Sequence, residues 1–126
     1  MKLLAAGLLL SIAPVSAHHS FSADFDAKRP VRLAGTVSKV DWTNPHVGVY
    51  LDVRSPSGEI VRWMVEAASP NALLRKGLNK DSVTVGMPVV INGYQAKSGA
   101  HRANGLDIIL PGGEKLLLRS DGSAPR

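Results

Sequence analysis

The stretch VRLAGTVSKVDWTNPHVGVYLDVRSPSGEIVRWMVEA, residues 31–67, decides the fold. Val31, Leu33, Gly35 and Val37 share one phase, while Arg32, Ala34, Thr36 and Ser38 hold the other. An alternation of this kind is a strand with one face on a core. The next apolar pair, Val40 and Trp42, falls in the opposite phase. A strand that keeps its core face must therefore slip by one residue near Ser38-Lys39, as a β-bulge does. After Asn44-Pro45, Val47, Val49, Leu51 and Val53 resume the period of two, and Ser55-Pro56-Ser57-Gly58 carries turn chemistry. Val61, Trp63, Val65 and Ala67 form a third strand. A long bulged strand leading into a hairpin is how a small barrel closes its sheet.

Downstream, Ser69-Pro70 starts a short helix, because serine caps free amide groups and proline suits the first helical position. Gly77 stops it, and Leu73 and Leu74 are expected to plug one end of the barrel. Such a short helix needs the sheet to hold it. A fourth strand follows over 89–96, with Val89 and Ile91 inward and Gly93 at a close approach or bend. Leu106, Ile108 and Leu110 make a fifth, and 114–119 supplies a last edge strand. The fold class is all-β with one short helix. Its order, three strands, a helix, then two or three strands, is that of a small OB-like Greek-key barrel of five to six strands. Another small barrel or a sandwich is the competing topology.

The amino terminus carries Lys2, an apolar run over 3–12 and Val15-Ser16-Ala17, the pattern of a signal peptide cut after Ala17. The expected organisation is residues 1–17 as signal peptide, 18–119 as one domain and 120–126 as a polar tail. Location is then periplasmic or secreted, with no transmembrane segment after cleavage, since the apolar run is shorter than a bilayer span. With no cysteine, thiolate metal sites, disulfides and cysteine catalysis are excluded. The net charge of +5 suits anionic envelope polymers or lipid headgroups, and export argues against nucleic acid.

Several short motifs occur in order: His18-His19-Ser20-Phe21 with Phe25-Asp26, Gly35-Thr36-Val37, Trp42-Thr43-Asn44-Pro45-His46, Trp63 with Glu66, Ser69-Pro70-Asn71 and Arg75-Lys76-Gly77. Together they resemble a family of small exported bacterial proteins catalogued as a domain of unknown function. Leu78 stands where that pattern has tryptophan. The resemblance implies export and a single domain, and brings no activity or cofactor with it.

The sharpest chemistry arises from processing. A chain beginning at His18 offers an α-amine and an imidazole as a two-point chelate, with His19 and His46 as further imidazoles. Nitrogen donors of this kind suit copper(II), with zinc and nickel as alternatives. The metal residues expected are therefore His18, His19 and His46, with Glu66 or Met64 completing the set. Two terminal histidines also bind copper weakly in unstructured peptides, and His46 also suits a turn cap. Asp24, Asp26 and Lys28 read as a solvated lead-in, and His101 as a residue of an exposed turn.

A second class of function is an envelope binding module without metal. The non-core phase of strands two and three presents Tyr50, Arg54, Arg62, Met64 and Glu66 to a protein, peptide or anionic polysaccharide. A solvated sheet face explains the same residues. An enzyme lacks support: no nucleophile-elbow sequence surrounds a serine, and Glu66 has no carboxylate partner. The expected function is an exported small binding protein, with copper at the mature terminus as its leading ligand.

Overall fold

The computed structural model describes residues 21–119. A four-residue helix, α1 (Phe21–Asp24), leads into β1 (Phe25–Asp41). Asp26 and Lys28 thus lie within the first strand, with Asp26 half-buried and Lys28 exposed to solvent as expected, and Phe25 is buried at the core edge. The strand is longer than the alternation shows because a second irregularity, between Phe25 and Pro30, hides its start. There the Asp26 carboxylate accepts from the Lys28 amide and bends the chain.

The expected bulge falls between Val37 and Lys39. It lets one strand serve two partners: β1 pairs antiparallel with β4 (Pro88–Ala96) along its first part and with β2 (Gly48–Arg54) along its second. β2 pairs with β3 (Ile60–Glu66) through the Ser55–Gly58 turn. β4 pairs with β5 (Arg102–Ile109), and β5 lies parallel to β3 through Met64 with Arg102, Val65 with Ala103 and Glu66 with Asn104. Five strands therefore close as a ring in the order β3-β2-β1-β4-β5. β6 (Lys115–Leu117) adds to the β5 edge. The architecture is mostly β and barrel-like, in the strand order of the OB-fold.

Between β3 and β4 lies α2 (Pro70–Arg75). The Ser69 hydroxyl accepts from the Ala72 amide, and the amide of Leu78 returns to the Leu73 carbonyl past Gly77, whose φ is +85°. Leu73 and Leu78 are buried, whereas Leu74 is exposed and does not plug the ring. Ala72 and Leu73 form the inward stripe of this six-residue helix, and Leu74, one position on, falls outside it. Leucine at 78 thus closes the helix end as an apolar side chain.

β5 also departs from its reading. It starts four residues earlier than Leu106, with Ala103 and Gly105 facing the core, and a register shift opposite Asn92-Gly93 makes Leu106 the extra residue. Ile108 then points inward, while Asp107 is buried on the other face, accepting from Asn92 at 2.7 Å and facing Lys115 at 3.3 Å. Trp42 lies just past the end of β1, and both tryptophans pack partly buried against the core. Among the described residues, no helix is long and apolar enough to cross a membrane.

Gly93 is the tightest crossing in the ring, since a Cβ there meets the Asn104 carbonyl oxygen at 2.3 Å. Gly93→Ala is therefore expected to cost about 1–3 kcal/mol, as overpacking does. Gly112→Ala, which meets nothing within 4 Å, stays within about 0.5 kcal/mol of the parent in urea unfolding.

Candidate functional site

Gly105 shapes the wall of the ring where β3, β5 and the chain after β6 meet. Its missing side chain leaves room for Leu118, whose Cδ1 would sit 2.7 Å from a Cβ, and the Leu118 carbonyl accepts from the Ala68 amide. This seam brings Arg119 alongside the amino-terminal segment. A cavity of about 190 Å³ opens there, lined by Phe21 and Phe25, His46, Glu66, Ala67, Ala68, Asn104, Gly105, Leu118 and Arg119. Phe21 stacks on Phe25 with centroids 5.7 Å apart and meets the edge of Tyr94 at the same distance. The guanidinium of Arg102 lies over Phe25 and that of Arg119 over Phe21, at 4.9 and 5.2 Å from the ring centroids.

His46 reaches this wall because the loop after β1 folds back across the end of β3. The Val47 amide donates to the Ala68 carbonyl, and the Ala67 amide donates to that of Val47. The imidazole Nδ1 lies 3.1 Å from the Ala67 carbonyl oxygen. A carbonyl only accepts, so Nδ1 carries its proton and the neutral ring keeps its lone pair on Nε2. That nitrogen faces Glu66 Oε1 at 3.7 Å, while Arg102 Nη2 donates to Glu66 Oε2 at 2.8 Å. The Glu66 side chain is only 16% exposed, so its charge needs these neighbours.

A lone pair facing a carboxylate oxygen is an arrangement that a shared cation completes, whether a proton or a metal. Two ligand atoms about 2.1 Å from one ion stand roughly 3.0 Å apart at the right angle of a tetragonal site and roughly 3.4 Å at a tetrahedral angle, so His46 and Glu66, 3.7 Å apart, would have to draw together to share an ion. The backbone bond at Nδ1 and the arginine on Glu66 are supports of the sort that orient metal ligands. His46 and Glu66 are thus the two side chains of the cavity that could share a cation. Among the described residues no group of three or more His, Cys, Asp or Glu side chains could hold an ion, so any further donor would have to come from outside them. His18 and His19, and Ser20 with them, lie outside the described residues.

The other expected residues separate. Met64 does not reach the cavity; it sits opposite Tyr50 across β2 and β3 and beside Arg102 of β5. Tyr50, Met64 and Arg62 share the outer sheet face, but Arg62 is held by Asp52, donating from Nε at 2.9 Å and Nη2 at 3.3 Å. Arg54 donates to the Gly58 carbonyl at the far end of the strands, and Glu66 belongs to the cavity. Lys39 lies over the Tyr50 ring at 5.0 Å. The five residues do not form one pocket. Phe21, Phe25, Arg102, Asn104 and Arg119 are site residues that sequence reasoning missed. Phe21 and Phe25 stand among the quoted motifs, recognising the Ala103-Gly105 alternation extends β5 to Arg102 and Asn104, and nothing in the pattern marks Arg119.

These elements define a small β-ring protein with a polar, aromatic-walled cavity on its flank. The chain belongs to DUF6152, a family of unknown function whose model matches residues 7–106. No curated protein and no solved structure gives a significant match.

Hydrogen bonds from Arg62, reinforced by its charge, hold the Asp52 carboxyl below its ordinary value. A lowered folded-state value stabilises the protein above the unfolded titration near pH 3.9, and that contribution is lost as pH falls through the folded value. The stability difference between the parent and Asp52→Asn should accordingly be present at neutral pH and vanish on acidification. Urea midpoints across a pH series measure it, and the difference should shrink in high salt because the pair is exposed.

Proposed function

We propose that this is an exported small binding protein that holds a transition metal, copper(II) first, where its mature amino terminus meets His46 and Glu66. One observation carries the reading: Phe21, three positions after His18, lines the same cavity as His46 and Glu66. Three extended residues span at most about 10 Å, enough for the terminal amine and imidazole of His18 to reach across a cavity of this size. His46 and Glu66 supply donors from the fold, and His18 and His19 supply them from the terminus. The short apolar leader ending in Val15-Ser16-Ala17 supports release of His18 at the start of a periplasmic or secreted chain. Nitrogen-rich donors with one carboxylate favour copper(II) over calcium or magnesium.

Copper(II) titration with electron paramagnetic resonance tests this on protein beginning at His18 and on protein carrying one extra alanine before it. The expected result is tight one-to-one binding to the first, with about three nitrogen ligands, and a collapse of affinity in the second. His46→Ala and Glu66→Gln should each weaken binding about 10- to 100-fold, and His101→Ala should leave it unchanged. Equal, weak binding to both proteins would overturn the reading.

A further inference from the structure

The ring has a second opening, at the end away from α2. β3 runs from the Ser55–Gly58 hairpin toward α2, so its first inward side chains mark the opposite end of the ring from Ala67. Here Leu33, Val53, Val61 and Trp63 bound a cavity of about 290 Å³, with His101 and Arg54 at its rim. Val53, Val61 and Trp63 are only partly buried, although they occupy core phase. The imidazole of His101 rests against the Trp63 indole with centroids 5.1 Å apart and planes tilted by 47°, and both rings line the cavity.

The β4–β5 turn is held in place at this mouth. The Met64 amide donates to the His101 carbonyl, and the Gln95 side-chain amide donates to the carbonyls of Gly99 and Ala100. Arg54 is similarly tied, spending one of its five N–H donors on the Gly58 carbonyl and keeping the rest available at the rim. Among the described residues no carboxylate lines the cavity, and Arg54 is the one permanent charge there. An aliphatic floor, two aromatic faces and a fixed guanidinium are complementary to a flat apolar body bearing one negative group. The volume lies at the lower edge of the range of about 300–1,000 Å³ typical of small-molecule pockets, which limits the body to one or two rings.

We infer that this mouth binds a small aromatic carboxylate, stacked on Trp63 and His101 and paired through its acid group with Arg54. The site is separate from the His46–Glu66 wall and does not depend on metal there.

Nuclear magnetic resonance of the ¹⁵N-labelled chain from His18 onward, with a chelator present, tests the assignment with 2-naphthoate as probe. The Trp63 indole signal is identified by its loss in Trp63→Phe. Naphthoate should shift it saturably, and Arg54→Gln should weaken that binding about fivefold, as loss of one exposed charge pair does. Neutral 2-naphthalenemethanol should bind the parent more weakly by a similar factor. The inference is overturned by the absence of a saturable shift, by equal binding of the acid and the alcohol, or by an Arg54→Gln variant that binds naphthoate as the parent does. A response to methyl β-glucoside with none to naphthoate would likewise overturn it and mark the mouth as a sugar site.

Discussion

The slip between Val37 and Lys39 is the constraint on which the rest of the ring depends. β1 pairs with β4 over residues 25–36 and with β2 over 35–41, and the two halves of the sheet come round to meet only if the strand twists sharply along its course. The bulge supplies that twist and returns Val40 to the core side. With β1 shared, β2–β3 on one side and β4–β5 on the other are brought round until Met64, Val65 and Glu66 pair with Arg102, Ala103 and Asn104. That last ladder is parallel and needs a crossover, which α2, β4 and their flanking turns provide. The core is consequently aliphatic and continuous, from Leu33 and Val37 through Leu51, Val65 and Ile91 to Ile108 and Leu118.

Closure also makes the wall site. Glu66 ends β3 at the seam, where Arg102 from the neighbouring strand neutralises one of its oxygens and leaves the other turned to His46. His46 owes its orientation to the backbone around it, since the Val47 and Ala67 hydrogen bonds set the loop and the Ala67 carbonyl fixes the ring nitrogen. The donors are thus held by the same pairings that close the sheet. On the proposed reading, the segment before Phe21 would bring further donors to the same wall, and cleavage of the leader would then complete the site.

Much of this architecture is legible in the residues because alternation reports burial directly. Val47, Val49 and Leu51, and then Val65 and Ala67, are buried as their phase requires, and the bulge near Ser38 is forced by Val40 and Trp42. The failures have physical causes. The start of β1 is hidden by a four-residue irregularity before Pro30, and the start of β5 by Gly105 and the extra residue Leu106, which break the apolar period. Leu74 misleads because hydrophobicity alone does not say which of two adjacent helical residues faces the sheet; it is 52% exposed. His46 and Glu66 were each singled out, but their meeting is a consequence of loop hydrogen bonds that no spacing in the sequence reveals. Arg119 carries no pattern at all, since a long basic side chain is ordinary on a surface until the fold sets it over an aromatic ring.

The joining of terminus and wall is tested most directly by adding substoichiometric copper(II) to the ¹⁵N-labelled chain from His18 onward and following which amide signals the paramagnetic ion broadens. The account predicts that Phe21, Ala67 and Asn104 broaden together with His46, while Trp63 and His101 stay sharp. Broadening confined to residues before Phe21, or centred on His101, would contradict it.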